Sequence, residues 1–412
     1  MIAMFRSLGH KNYRRFFISH AFATSANWMQ NIAVAWLVFK LTGTGAGIGT
    51  IIFLMQFPSL FSSLCGGLLA DRMSRRRLMM VVQSVSLACS FILAAFSAME
   101  NVAVWHLMLV AVVIGLNTGI DMPTRQAFMM DLVPRADLPN AIALNAGIFN
   151  VARIIGPTIA GFLLAEAGIV WCFLSNAGCF ATSAVLLFSL RLPAHVVRAS
   201  APPLKALAEG LSYCGRTPYI LAFLLALAGS SFFATPLLYH LPLFTENIFN
   251  LGPTGYGFFM AAAGIGALSG ALRLAAREST QGLGRWVVFA CMTLGVSTIL
   301  FSASAFLPFS VLLLPVFGLG FIICFSGCNT LLQTLSPEEM RGRVMAVFSI
   351  AYSSVAPLGC LFTGFLADKA GVTVIFGSCG LVMAALGVFL LVMLPRLRAH
   401  VAASRGTASA LL

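Results

Sequence analysis

The chain alternates long apolar runs with short polar interruptions, and the rhythm is that of membrane crossing. A helix needs about 20 mostly apolar residues to span a hydrocarbon layer. Runs of that kind fall at 17–39, 46–70, 78–98, 104–128, 140–165, 168–190, 218–245, 254–276, 286–306, 308–334, 344–367 and 372–394. They predict an all-α membrane protein of 12 transmembrane helices joined by short turns. The one substantial polar interval is 191–217, where Pro193, Pro202 and Pro203 break the chain before Leu204, Leu207 and Leu211 share a helical face. It reads as a cytoplasmic linker with a short amphipathic segment on the membrane surface. On either side stand an N-terminal six-helix bundle, 1–190, and a C-terminal six-helix bundle, 218–412.

The interruptions are not alike in charge. With the N-terminus inside, twenty-two Lys and Arg residues fall on the inner side and only Lys40 and Lys369 on the outer, with Arg153 left inside a span. That bias places both termini in the cytoplasm and requires an even number of spans. The halves also repeat. At a constant lag of 203, twelve of the fifty-four positions from 115 to 168 are identical, Gly115 with Gly318, Gly156 with Gly359, Gly161 with Gly364 and Gly168 with Gly371 among them. About a tenth would match by chance in such apolar sequence. A lag of six helices preserves direction, so the halves are expected to be parallel, pseudo-symmetric repeats about the membrane normal.

Composition agrees: 59% of residues are hydrophobic, 9% are charged, and mean hydropathy is +0.95. The net charge of +13 does not imply nucleic acid, because the basic residues are sorted by membrane side rather than gathered on a soluble domain. Ten cysteines stand singly without zinc or disulfide spacing and read as small apolar residues; only Cys324 and Cys328, one turn apart, form a pair. There is no phosphate-binding Gly-rich loop and there are only four lysines, so ATP is not expected to drive this chain and no cofactor is implied. The loops are too short to hold an enzyme or to bind a large partner, and the chain is expected to work as a monomer in the lipid bilayer.

The chemistry concentrates in the first half. Asp71, Arg72, Arg75, Arg76 and Arg77 crowd into the turn after the second span. The last three would open a helix, where its dipole disfavours cations, so lipid headgroups and Asp71 are the expected partners. Asp121 and Arg125 lie one turn apart on the fourth span, acid before base as pairing favours. Asp121 is either a proton acceptor, captured when the pair weakens, or a gate strut. Arg153 sits mid-span, where an arginine costs about 2.5–3.5 kcal/mol on insertion scales, and must face a partner or a wet cavity. At the repeat lag these three charges map to Cys324, Cys328 and Ala356, so the fold does not demand them twice. Asn27, Gln30 and Asn31 on the first span, Gln56, Asn117, Asn145, Asn150, Asn329 and Gln333 could line a central path or bond helix to helix. His20 and His240 read as packed histidines, and the 35 phenylalanines suit either a cavity for a bulky amphipathic solute or lipid-facing positions.

Several of these stretches resemble a known family. Gly67, Leu69, Ala70, Asp71, Arg72, Arg75, Arg76 and Arg77 match the loop signature of the major facilitator superfamily, with Ser74 where glycine is usual. Gly156, Pro157 and Gly161 resemble the fifth-helix motif of its antiporters, with Ala152 and Ala160 in place of two glycines. Asp121-Met122-Pro123-Thr124-Arg125-Gln126 and Asn140-Ala141-Ile142-Ala143-Leu144-Asn145 are similar to the subfamily of enterobactin exporters and drug and macrolide efflux permeases. The resemblance implies a major facilitator fold and a proton-coupled exporter of a siderophore or drug-like molecule. It also implies the bacterial inner membrane, alternating access, and a cytoplasmic gate built on Gly67, Asp71, Arg72, Arg75 and Arg76. The alternatives are an uptake permease or lysolipid flippase of the same fold, and a transport-inactive sensor or scaffold.

Overall fold

The computed structural model describes residues 3–100, 102–190, 203–277 and 279–405, and among them there is no strand. After a 3₁₀ turn, Ala3–Gly9, the first half contains α1 (Lys11–Thr42), α2 (Gly45–Gln56), α3 (Pro58–Arg72), α4 (Arg75–Ala98), α5 (Val104–Met130), α6 (Leu138–Glu166) and α7 (Ile169–Phe188). The rest is α8 (Pro203–Arg216), α9 (Pro218–Gly229), a π-helical turn at Ser230–Ala234, α10 (Thr235–Tyr239), α11 (Leu241–Asn247), α12 (Gly252–Ala275), α13 (Leu283–Ala303), α14 (Leu307–Leu335), α15 (Glu338–Ser353), α16 (Val355–Ala370) and α17 (Val372–Arg405).

All twelve expected runs are helical. Eleven helical runs among the described residues are long and apolar enough to cross a membrane. The twelfth, α1, is helical over 32 residues, and Asn27, Gln30 and Asn31 dilute its hydropathy. Three runs expected as single helices are broken, each beside a proline that cannot continue the backbone ladder. The second breaks at Phe57 before Pro58, the eleventh at Ser354 near Pro357, and the seventh into α9, the π turn, α10 and α11, with Pro236 and Pro242 opening the last two. The expected amphipathic segment is α8, where Glu209 pairs with Arg343 of α15 at 3.0 Å and Leu211 is exposed. Residues 191–202 of the linker lie outside the described residues.

The chain divides into two compact units, one of Met1–Gly43, Ile51–Ala201 and Leu251–Ala261, the other of Thr44–Thr50, Pro202–Asn250 and Ala262–Leu412. In the first, α1 packs on α6 and α7, α3 on α5, and α4 on α5 and α7; in the second, α13 packs on α14 and α17, and α8 on α15. Helices in lipid have no hydrophobic drive toward one another, so close packing at small residues must hold them.

The repeated glycines carry that packing. A Cβ on Gly115 would lie 2.8 Å from the Leu54 carbonyl oxygen, and one on its mate Gly318 would strike the Ala263 carbonyl. Gly156 is pressed on Trp28 and Ser25, and its mate Gly359 on Phe232. Gly168 and Gly371, also mates, take φ of 86° and 90°, which an L side chain rarely adopts, and open α7 and α17. Identity at lag 203 therefore marks matching structural duties inside each unit.

Candidate functional site

The chemistry of the first unit gathers where α5 meets α1. Arg125 lies one turn beyond Asp121 and pairs with it. Between them Pro123 has no N–H to give the Gly119 carbonyl, so the ladder of α5 is interrupted beside its two charges. Asp121 is buried at 7% exposure, and Arg125 is largely buried, its side chain 16% exposed. Arg125 also donates from Nη1 to Nδ1 of His20, at 3.0 Å. A guanidinium has only donors, so Nδ1 must be the acceptor and the His20 ring neutral, with its proton on Nε2. Thr24, one turn on, has its hydroxyl 3.0 Å from the same nitrogen, and Phe16, one turn back, stacks on the ring at 5.9 Å. The result is a buried line of carboxylate, guanidinium and neutral imidazole. Its two loose ends are Asp121 Oδ1 and Arg125 Nε, which have no hydrogen-bond partner.

His20 is thus no merely packed histidine. Its signal in the sequence was the four-residue spacing of Phe16, His20 and Thr24, which puts all three on one face of α1. That the face turns toward Arg125 depends on how α1 is rotated about its axis, which spacing does not reveal. The second unit holds Cys324 and Cys328, both fully buried, at the positions equivalent to Asp121 and Arg125, with the Cys291 sulfur 3.7 Å from that of Cys324.

The arginine loop has partners that the sequence did not suggest. Arg75 donates to Asp131 at 2.7 Å and to the Ala127 carbonyl at 3.0 Å, at the C-terminal end of α5. Arg76 donates to the carbonyls of Leu187 and Phe188, and Arg15 to that of Ser189 at 2.7 Å, all at the C-terminal end of α7. The arginines open their own helix at the wrong pole, yet reach the unpaired carbonyls and negative poles of two neighbours. Asp131 and these carbonyls are partners of Arg75 and Arg76. The side chains of Asp71 and Arg72 lie outside the described residues. A Cβ on Gly67 would meet nothing within 4 Å, whereas one on Gly66 would lie 2.8 Å from Ile120 Cα. The close approach in this motif therefore belongs to Gly66.

Arg153 is buried at 6% exposure inside the first unit, its guanidinium 5.7 Å from the centre of the Trp28 ring, which meets Phe149 edge-on. Gly161 faces Gly257 of α12, where a Cβ would lie 2.8 Å from the partner's Cα. Asn117 spends its amide on α4, donating to the Val82 carbonyl at 3.0 Å and the Ser86 hydroxyl at 2.9 Å. Gln30 is buried with its Nε2 unpartnered, while Asn27 and Asn145 are half-buried. The site does not bring Arg153 or these amides to Asp121 by any hydrogen bond that the described residues display.

The family described as transmembrane secretion effector matches residues 2–411. The chain belongs to this family of major facilitator transporters. It is 30% identical to the multidrug efflux pump Tap of Mycolicibacterium fortuitum, over 91% of this chain and 94% of that one. It is 25% identical to the enterobactin exporter EntS of Shigella flexneri, over 94% and 93%. Among solved structures, a POT family transporter in complex with a thioalcohol-conjugated peptide superposes with a TM-score of 0.74 at 13% identity, covering 94% of this chain and 96% of that one. The fold is that of major facilitators, and the chain is a multi-pass membrane transporter of small molecules rather than an enzyme.

Proposed function

We propose that this chain exports a bulky small molecule, siderophore or drug-like, from the bacterial cytoplasm in exchange for protons. It works as a monomer in the inner membrane, with both termini in the cytoplasm. One observation carries the proton-coupled part: the buried Asp121–Arg125–His20 line has no charged counterpart at the equivalent positions of the second unit. Arg125 holds two partners at once, one of which loses its charge on taking a proton. When Asp121 is protonated at its unpartnered oxygen, Coulomb attraction disappears and Arg125 keeps only the His20 nitrogen. Proton uptake therefore becomes a displacement of Arg125 between α5 and α1. Buried polar atoms without a hydrogen-bond partner are also more numerous in the first unit among the described residues. Gln30, Arg75, Gln83, Asp121, Arg125 and Asn176 hold them in the helices of the first unit, against Ser231 and Ser354 in the second. Such atoms are costly in a dry interior and suit hydration along a proton path. The relatives' names support export and a drug or siderophore as cargo.

The test is flux in proteoliposomes with an imposed pH gradient, the cargo first chosen by thermal-shift screening of siderophores and drugs on the purified protein. Cargo accumulation in the lumen that follows the gradient, with matching proton efflux from the lumen, is expected; accumulation indifferent to pH would remove the coupling. For the gate, Asp71→Asn is expected to reduce flux severalfold while leaving insertion and folding intact, as read by yield and monodispersity. Unchanged flux would take Asp71 out of the gate.

A further inference from the structure

The second unit contains a histidine whose two ring nitrogens both face carbonyl oxygens. His240, at the junction of α10 and α11, is fully buried. Its Nδ1 lies 2.9 Å from the Pro236 carbonyl oxygen and its Nε2 3.3 Å from the Gly45 carbonyl oxygen. A carbonyl can only accept, so the doubly protonated ring, the imidazolium, is the form that donates to both oxygens. A neutral ring would turn a nitrogen lone pair on one of these oxygens, replacing attraction by repulsion in a buried site. The counter-charge is at hand. Asp368 of α16 accepts from the Gly45 N–H at 2.6 Å and from the Ala46 N–H at 2.8 Å, so the residue whose carbonyl meets the ring gives its N–H to the carboxylate.

The packing leaves little freedom. A Cβ on Gly45 would lie 2.9 Å from the Gly364 carbonyl, and one on Gly364 would lie 2.9 Å from His240 Nε2. The other titratable groups nearby do not share this contact. Lys369 on α16 and Glu246 on α11 are exposed, Tyr239 on α10 is half-buried, and α17 presents the Phe376 ring at 5.5 Å and the buried Cys379. Residues 44–50 carry no titratable side chain.

We propose that His240 is a proton-binding site of this transporter, and that its second proton fastens the first turns of α2, residues 44–50, to α16. The Nδ1 contact with Pro236 is the shorter, so the Nε2 proton is the one that leaves, the Gly45 contact becomes repulsive and the hold on Gly45 loosens. The site is independent of Asp121, which lies in the other unit, and stands or falls without the proposed coupling.

Hydrogen exchange of the full-length protein in lipid nanodiscs tests this without any cargo. Protection of the peptide spanning residues 44–50, corrected for intrinsic rates, is expected to fall about tenfold as pH is raised from about 5 to about 9, in one titration step. His240→Gln keeps an N–H for the Gly45 carbonyl but cannot titrate, and is expected to flatten the step. Asp368→Asn removes the counter-charge and is expected to move the midpoint to lower pH. A wild-type protein with no step, or His240→Gln and Asp368→Asn proteins that keep the wild-type step, would overturn the proposal. The wild-type titration decides even where a variant does not fold.

Discussion

Asp121→Asn is expected to abolish the response of cargo flux to a pH gradient, with the gradient-driven component falling at least about tenfold, the span of one unit of proton driving force. The substitution keeps size and hydrogen-bonding capacity but removes the titrating charge. It also leaves Arg125 buried with His20 as its remaining partner. Breaking one side of a buried pair costs about 3–5 kcal/mol through the uncompensated charge, so the thermal midpoint is expected to drop as well. Activity loss through poor folding and activity loss through lost coupling must then be separated. Asp121→Asn combined with Arg125→Gln removes both charges, and the pair's energies are expected to be strongly non-additive, with the midpoint recovering toward wild type. Coupling is expected to stay lost in the double variant. A double variant that regains both stability and pH response would show Asp121 to be a strut.

What could be read in the chain and what could not divides along a physical line. Features that depend on one helix alone were legible: the apolar runs, the i to i+4 placing of Asp121 and Arg125, and the glycines repeated at lag 203. Features that depend on which helix faces which were not. The amino-acid order gives the direction of Arg75 and Arg76 at the start of α4, yet nothing in it says that the C-terminal carbonyls of α5 and α7 end beside them. His20 and His240 both stand alone in apolar sequence and look identical there. Tertiary contacts give them opposite surroundings, two donors around one nitrogen of the first and two carbonyl acceptors around the ring of the second. Helix breaks were not read from it: the three broken runs look continuous, because a proline only weakens the ladder while neighbouring helices decide where it yields.

Gly161→Val is expected to lower flux by at least about tenfold with little loss of membrane-inserted protein, because a backbone contact cannot absorb new volume as a side chain would. At Gly161 the first added carbon already lies 2.8 Å from Gly257 Cα and 3.0 Å from the Pro253 carbonyl oxygen. Valine adds two methyl groups beyond that point, so α6 and α12 must part. A series through alanine separates chain entropy from overpacking. Gly→Ala in an open helix position stabilises by about 0.4–1 kcal/mol through the unfolded chain, whereas overpacking costs about 1–3 kcal/mol. Gly178, whose Cβ would meet nothing within 4 Å, supplies the open case on α7. Alanine there is expected to raise the thermal midpoint slightly and leave flux unchanged, and alanine at Gly161 to lower both. If Gly161→Val transports normally, the contact with Gly257 does not limit the cycle and the fifth-helix motif is a packing feature alone. If flux falls while Gly178→Ala behaves as wild type, the motif's glycines act by holding two backbones in contact, and the small residues Ala152 and Ala160, both buried, extend the same seam.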